Sequence, residues 1–252
     1  MAGTAADREG RQRKDKPRDL RVSVALLWGE QDQPTRGPKP SLTPARIAEA
    51  AVTIADAEGL DAVSMNRVAG EFGVSGMALY RYVPGKSELI ELMVESVLAD
   101  RPDLSGAGDG WRPQLEEWAR RSSDIYRAHP WLLAATALRR QVMGPAQLGW
   151  LDAALAALEP TGLTAAQRHH VVLLLIALVR NIAQQWVDFD AEHDQEWLWL
   201  TGDILDRHAA RFPALSRAIE GGAFDSATID PLDFGLARLL DGVEMLTDES
   251  KS

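Results

Sequence analysis

The chain has 252 residues, a formal net charge of −10 at pH 7 and no cysteine. This length accommodates one large or two modest domains with hydrophobic cores, and the missing cysteine excludes disulfide frameworks, zinc fingers and thiol catalysis. The first 20 residues are charged throughout, unlike a signal peptide, and the longest apolar run, Val171 to Val179, is too short to cross a bilayer. We therefore expect a cytoplasmic protein that has no membrane partner.

Residues 1–40 form an N-terminal extension that we expect to be largely disordered, because it carries many charges, four prolines and little apolar periodicity. The apolar stretch at 22–29 interrupts it and could serve as a transient or docking segment. Arg36 and Lys39 lie just before the first strongly predicted helix, where a basic arm could follow a minor groove or a phosphate backbone. A solvated tail is an equally good interpretation of the same residues.

Residues 41–88 have the capping and spacing of three short helices. Thr43, followed by proline, is a strong helix start. Ser64 can cap a second helix, whose apolar positions recur at i, i+3, i+4 and i+7, and Gly73 then provides a turn. Ser75 can cap a short third helix. Two short helices joined by a tight turn are typical of a helix-turn-helix that enters a DNA major groove.

The charge of this segment differs from that of the whole chain. Residues 64–86 contain Arg67, Arg81 and Lys86 against a single carboxylate, Glu71, although the chain as a whole is acidic. An acidic body would keep DNA away from every other face. The spacing alone leaves open a second interpretation, in which the segment is a helical hairpin inside an all-α core without a role in DNA binding.

The rest of the chain has a helical pattern, and we find no stretch that alternates as a strand does. A linker helix at 87–100 would join the helix-turn-helix to a regulatory domain at 101–248. We predict further helices near 111–128, 131–141, 145–158, 164–189, 194–210 and 230–247. The predicted fold class is all-α, with an N-terminal three-helix DNA-binding domain and a C-terminal helical domain for ligand binding and dimerisation.

Two of these helices predict a dimer. The run from Val171 to Val179 is apolar on all sides, so we expect it to be buried all round, and the last helix repeats leucine at core spacing. Two such helices from each subunit would form a four-helix interface about a two-fold axis. The predicted interface residues are Val171, Leu175, Leu232, Leu236, Leu239, Leu240 and Val243.

The sequence lacks the common catalytic and cofactor motifs. Its five histidines are scattered without HExxH spacing, and there is no nucleophile elbow and no GxGxxG. The loop SGAGDG at 105–110 is not a P-loop, because no Gly-Lys-Ser/Thr follows it. We therefore expect no catalytic residues, no metal site and no cofactor, and we do not expect an enzyme.

Seven of the eight tryptophans lie between residues 111 and 199. They could simply fill the core, or they could line a pocket for a bulky, partly aromatic small molecule. Buried amides near the end of the 164–189 helix would require partners, which could be each other, the dimer mate or a ligand. The predicted ligand-binding residues are Trp118, Trp131, Leu132, Arg139, Trp150, Leu174, Leu178, Asn181, Gln184, Gln185 and Trp186.

The segment VSGMALYRYVPGKSEL resembles the recognition helix and following turn of the tetracycline-repressor (TetR) family of bacterial transcription regulators. The preceding TPARIAEAAVTIADAEGLDAVSMNRVAGEFG resembles the first two helices of that family, so the close match covers residues 43–98. HPWLLAATALRR, LGWLDAALAAL and FGLARLLDGVEML resemble the regulatory domain of the tetracycline-repressor branch. The resemblance implies a homodimeric regulator, most simply a repressor, that a small molecule releases from double-stranded operator DNA.

The same resemblance implies a set of DNA-binding residues. Thr43, Arg46, Tyr80, Tyr82 and Lys86 would contact phosphates, Asn66, Gly76, Met77 and Ala78 would approach base edges, and Ser64, Met65 and Ser75 complete the set. The Gly-Met-Ala sequence is less polar than the base-contacting residues usual in the family. Methionine and alanine can touch thymine methyl groups but cannot donate paired hydrogen bonds. This departure keeps an alternative open, a small-molecule-binding helical dimer whose helix-turn-helix no longer reads DNA specifically.

Overall fold

The computed structural model describes residues 19–30, 42–137, 142–188, 195–223 and 230–249, and within these ranges it is helical and contains no strand. The helices are α1 Leu20–Leu27, α2 Pro44–Glu58, α3 Met65–Glu71, α4 Gly76–Leu79, α5 Lys86–Val97, α6 Trp111–Ala128, α7 Leu132–Ala137, α8 Pro145–Ala157, α9 Ala165–Asp188, α10 Gln195–Arg207, α11 Pro213–Glu220 and α12 Pro231–Glu249. The all-α prediction is confirmed. Helix α11 was not predicted, because Pro213 was interpreted as a break and it is instead the first residue of a helix.

The N-terminal unit, which we call the reader, is a small core built by α2, α3, α4 and α5. Thr43 caps α2 as predicted, since its Oγ1 accepts a hydrogen bond from the Arg46 amide at 3.2 Å, and the Ser64 hydroxyl does the same for the Arg67 amide in α3. Ile47, Val68 and Leu79 are among the side chains fully buried here. Capping fixes where each helix begins, and the buried stripe fixes which face turns inward.

Residues 19–30, inside the extension that we expected to be largely disordered, contain a helix, and the rest of that extension lies outside the residues that the structure describes. Helix α1 packs against α5, with Leu26 and Leu27 buried. Its Ser23 is also buried and donates a hydrogen bond to Glu88 Oε1 at 3.4 Å. Helix α1 can pack here because α5 has buried residues on several sides, from Glu88 to Val94, and the other reader helices do not cover all of these sides. The apolar stretch at 22–29 is therefore a docking segment.

The C-terminal unit is a bundle in which α9 packs against α6, α8 and α12. Trp118, Leu175 and Leu236 contribute to its core. Helix α9 is long and apolar enough by composition to cross a membrane, but core helices of water-soluble proteins pass the same test, and α9 packs against α6, α7, α8 and α12 of its own chain. Leu174 is 57% exposed in the protomer, so the prediction that α9 is buried all round requires a second copy.

The residues predicted at the dimer interface lie mostly inside the protomer. Leu236 is 1% exposed and Leu240 is completely buried, because α12 packs its leucine stripe onto α9 of the same chain. The other predicted interface residues are also buried within this core or packed against it: Val171, Leu175, Leu232, Leu239 and Val243. This corrects the residue assignment, since these side chains offer little surface to a second copy.

Candidate nucleic-acid interface and ligand cavity

The turn between α3 and α4 has the geometry of a helix-turn-helix. Gly73 has φ +64°, a conformation that glycine adopts without strain, and the Val74 amide closes the turn on the Ala69 carbonyl at 3.2 Å. Gly76 opens α4 directly against Asn66: a Cβ at this position would lie 2.1 Å from Asn66 Oδ1. The close approach explains the glycine and places the Asn66 amide at the junction of the two helices.

The outward face of α4 is formed by Met77 and Tyr80, which are one helical turn apart. Met77 is 76% exposed and Tyr80 is also exposed, whereas Leu79 and Val83 are fully buried and hold the segment on the core. Ala78 is half-buried beside them. This face is exposed, so it can enter a DNA major groove, which is wide enough to admit a helix.

Two residues predicted to bind DNA lie elsewhere than expected. Met65 is only 6% exposed and its side chain belongs to the reader core, so this residue can offer DNA only its backbone at the start of α3. Tyr82 packs against the same core and is half-buried. Ser64 and Ser75 remain exposed at the starts of α3 and α4, and the Ser64 hydroxyl is already used as a cap.

The cations of the reader divide into two groups. Arg67 is bound by carboxylates, at 3.0 Å from Glu58 and in a closer pair with Glu71, and these bonds, first of all that to Glu58, raise the pKa of its guanidinium further above its usual value. Lys86 and Arg81 are exposed and have no carboxylate partner among the residues described here. Lys86 and Arg81 are therefore the candidates for phosphate contacts, and Arg81 is a cation that the predicted set omitted.

Arg46 lies at the start of α2, one turn after Thr43. Its guanidinium carbon is 5.6 Å from the centre of the Phe72 ring, close enough for a cation–π interaction. This contact holds the arginine on the same side of the domain as the end of α3, and the side chain stays exposed.

The regulatory unit encloses a cavity of about 500 Å³ that lies between α6, α7, α8 and α9. The indole rings of Trp118 and Trp150 meet edge to face, with centres 5.9 Å apart. Both indole nitrogens have carbonyl partners: Trp118 donates to the Trp150 carbonyl at 2.9 Å, and Trp150 donates to the Leu98 carbonyl at 3.1 Å. Both rings are therefore fixed, and Trp150 joins the cavity wall directly to the chain that leaves α5.

The polar groups of the cavity come from several helices. Arg180 of α9 donates to the Leu133 carbonyl at 2.7 Å and to the Thr136 hydroxyl. Gln147 of α8 also lines the cavity, and its amide oxygen is buried without a hydrogen-bond partner among the residues that the structure describes. The remaining lining residues are Leu98, Ser122, Ile125, Tyr126, Leu132, Met143, Leu151, His169, Leu173, Ile176 and Val179.

Three of the predicted ligand-binding residues line this cavity: Trp118, Leu132 and Trp150. The predicted amides do not, because Asn181 and Gln185 are exposed and bond to each other at 3.0 Å. The remaining predicted residues inside the described ranges, Trp131, Leu174, Leu178, Gln184 and Trp186, are also absent from the lining, and Arg139 lies outside the residues that the structure describes. Trp186 instead packs under the Arg127 guanidinium, 3.9 Å from its ring centre.

Sequence reasoning missed the polar residues of the cavity, although a signal was present. His169, Leu173, Ile176 and Arg180 all line it, and their spacing of i, i+4, i+7 and i+11 defines one face of α9. The predicted amides were chosen for their place at the end of the helix, whereas the helical phase decides which side chains point inward.

Helix α5 binds the start of α8 through a carboxylate. Glu95 accepts hydrogen bonds from the Ala146 amide at 2.7 Å and from the Gln147 amide at 3.1 Å. It thus caps the positive end of α8 from a neighbouring helix. Gly144 makes this possible, because a Cβ there would lie 2.3 Å from the Glu95 carboxyl carbon. The cavity wall and the helix that leaves the reader are therefore hydrogen-bonded to each other.

A second connection joins the regulatory unit to α2. Asp56 accepts a hydrogen bond from Trp131 Nε1 at 2.6 Å, and the same oxygen lies 2.8 Å from His129 Nδ1. Trp131 is buried and precedes the cavity residue Leu132. The start of α7 thus contacts both the reader and the cavity, which explains why Trp131 is buried without lining the cavity itself.

Comparison with known proteins matches both parts of the chain. Residues 102–247 match the family model described as "Tetracyclin repressor-like, C-terminal domain", and residues 47–93 match "Bacterial regulatory proteins, tetR family". The HTH-type transcriptional repressor DrrR1 of Streptomyces coeruleorubidus is 38% identical over 242 residues, 92% of this chain and 88% of that protein.

The similar proteins include a repressor and structures that contain small molecules. ActR of Streptomyces coelicolor in complex with (S)-DNPA is 27% identical with a TM-score of 0.66, over 81% of this chain and 98% of that one. The complex of ActR with actinorhodin has the same identity and TM-score, over 81% of this chain and 95% of that one. The regulatory match spans more than half of the chain, and the repressor is matched over most of its length. The chain belongs to the tetracycline-repressor (TetR) family of bacterial transcription regulators.

Proposed function

We propose that this regulator is a repressor that binds operator DNA as a homodimer and is released when a small molecule fills the cavity between α6, α7, α8 and α9. The main support for the proposal is that hydrogen bonds connect the cavity to the reader in two places. Trp150 and the start of α8 are hydrogen-bonded to α5 and to Leu98 just after it, and Trp131 beside the cavity is hydrogen-bonded to Asp56 of α2. A ligand that moves either wall therefore acts on the reader.

The size and chemistry of the cavity support a small-molecule effector. Its volume lies within the range of ~300–1,000 Å³ that is typical of ligand sites, and it combines aromatic walls with a few polar groups. ActR, a similar protein, has been crystallised with small molecules. If the ligand prefers one tilt of α5, operator affinity and ligand affinity change each other by the same factor, typically ~5- to 150-fold.

The proposed homodimer uses the outer faces of α9 and α12. Leu174, Phe234 and Met245 are exposed apolar side chains on these helices, and Met245 is 68% exposed. A second copy that packs α9 and α12 against the same pair would bury them in a two-fold interface. Such a dimer presents two readers, which the paired half-sites of an operator require.

Lys86, Arg81 and Tyr80 are proposed to bind phosphates, and Met77 and Asn66 are proposed to lie nearest the bases. Because Met77 and Ala78 cannot donate paired hydrogen bonds to a base, sequence preference would depend partly on Asn66 and on DNA shape. The same lack of donors favours the alternative function, in which the cavity still binds its ligand but the helix-turn-helix no longer reads DNA specifically.

A gel-shift titration separates the two functions. The probe is a duplex taken from upstream of the protein's own coding sequence, and the control is a shuffled duplex of the same composition at the same salt concentration. A repressor should bind the first duplex more tightly by a factor of roughly 10³ or more. Equal affinity for the two duplexes would contradict sequence-specific binding at this site and would support the alternative.

A further inference from the structure

Arg180 is a cation that faces the cavity without a counter-charge. It is half-buried, and it donates hydrogen bonds to two neutral groups, the Leu133 carbonyl at 2.7 Å and the Thr136 hydroxyl. Among the residues that the structure describes, no carboxylate lies within ion-pair distance of its guanidinium. A partly desolvated guanidinium is stabilised most strongly by a carboxylate, which can accept two parallel hydrogen bonds from it.

Two other arginines of the regulatory unit have carboxylate partners. The chain has 37 acidic residues against 27 lysines and arginines, so carboxylates are abundant. Arg112 is within 3.0 Å of both Asp241 and Glu244, and Arg238 also pairs with Asp241. Arg180 instead lies in the cavity lining with the apolar side chains of Leu132, Ile176 and Val179, and Thr136 and His169 are polar residues of the same lining. Its contacts with α7 hold the charge in place, and the residues that the structure describes supply no counter-ion.

The aromatic wall of the cavity restricts the ligand further. The edge-to-face pair of Trp118 and Trp150 provides a wall on which a flat ring system packs well.

We propose that the effector is a fused-ring aromatic acid whose carboxylate binds Arg180. This inference rests on the proposed function of the cavity as an effector site and names the chemical class that the site accepts. The acid supplies the missing counter-charge, and the ring system fills the space beside the two tryptophans.

The test compares two probes of nearly equal shape, anthraquinone-2-carboxylate and anthraquinone-2-carboxamide. Binding to the full-length protein is measured at pH 7 by quenching of tryptophan fluorescence, without DNA. The acid should bind at least about tenfold more tightly than the amide, because only the acid supplies a negative charge to Arg180. Arg180→Gln should weaken acid binding by about the same factor and leave amide binding within about twofold.

Two controls accompany the variant. Arg207→Gln removes an exposed arginine of α10 that pairs with Asp203 outside the cavity, and it should leave both affinities unchanged. Arg180→Lys keeps the charge but not the paired geometry, so it should retain part of the preference for the acid. The preference of the unmodified protein is measured without any variant, so a folding defect in Arg180→Gln does not prevent the test.

Equal binding of the acid and the amide, or binding of neither, would overturn the inference. An acid preference that survives in Arg180→Gln would also overturn it. These failures differ from failure of the proposed function. If the amide binds equally well and releases operator DNA, the cavity is an effector site and only the acid class is wrong. If the acid is preferred but operator affinity is unchanged, the ligand class stands and the release mechanism fails.

Discussion

Glu95 provides the sharpest test of the connection between α5 and α8. Glu95→Gln preserves the shape of the side chain but removes its charge and replaces one acceptor oxygen by an NH₂ group. One of the two backbone amides, that of Ala146 or of Gln147, then faces a donor. Losing a cap and its interaction with the helix dipole costs about 1–2 kcal/mol. We expect the free energy of unfolding to fall by this amount.

The assay is urea unfolding followed by tryptophan fluorescence. Glu117→Gln is the matched control, since Glu117 makes an exposed i,i+4 pair with Arg121 and its loss should cost at most about 0.5 kcal/mol. The Glu95 variant should also show a smaller effect of cavity ligands on DNA binding, because the ligand acts on α5 partly through this cap. A change in unfolding free energy as small as that of the control would refute the role assigned to Glu95.

Three further predictions concern DNA binding, assembly and pH. Lys86→Ala should weaken binding to all duplexes alike and reduce the slope of log affinity against log salt concentration by about one. Met77→Ala should instead change the sequence preference. The reverse pattern would contradict these two roles. Phe234→Asp should shift the protein from dimer to folded monomer in sedimentation, and an unchanged dimer would place the interface elsewhere. The pKa of Asp241 is lowered from 3.8, first by its hydrogen bond to Arg112. Because the pKa of Asp241 is lower in the folded state than in the unfolded state, its stabilising contribution is present above pH 3.8 and is lost as the pH falls below that value. Asp241→Asn should remove this part of the acid sensitivity of folding.

The reader was predictable from the sequence because its signals are local. The caps at Thr43 and Ser64 and the glycine turn at Gly73 each involve residues only a few positions apart. Met65 shows the limit, because the family resemblance placed it among the DNA-binding residues, whereas its position in the apolar stripe of α3 buries it.

The tertiary features were less predictable. Helix α1 packs on α5, and the hydrogen bond that joins them connects Ser23 to Glu88, 65 residues further along the chain. The leucines of α12 correctly indicated a buried face, but the sequence does not say whether that face packs on the same chain or on a second copy. Arg180 was overlooked because a lone arginine in an apolar helix has no meaning until α7 places Leu133 and Thr136 beside it.

Occupation of the cavity should change the affinity for DNA. This is measured most directly by a fluorescence-anisotropy titration of the upstream duplex with and without saturating anthraquinone-2-carboxylate, repeated with Trp150→Phe, which loses the hydrogen bond to the Leu98 carbonyl. We expect the probe to weaken DNA binding by roughly 5- to 150-fold in the unmodified protein and by less in the variant. Saturation of the cavity with no change in DNA affinity would show that the cavity and the DNA-binding helices are not coupled.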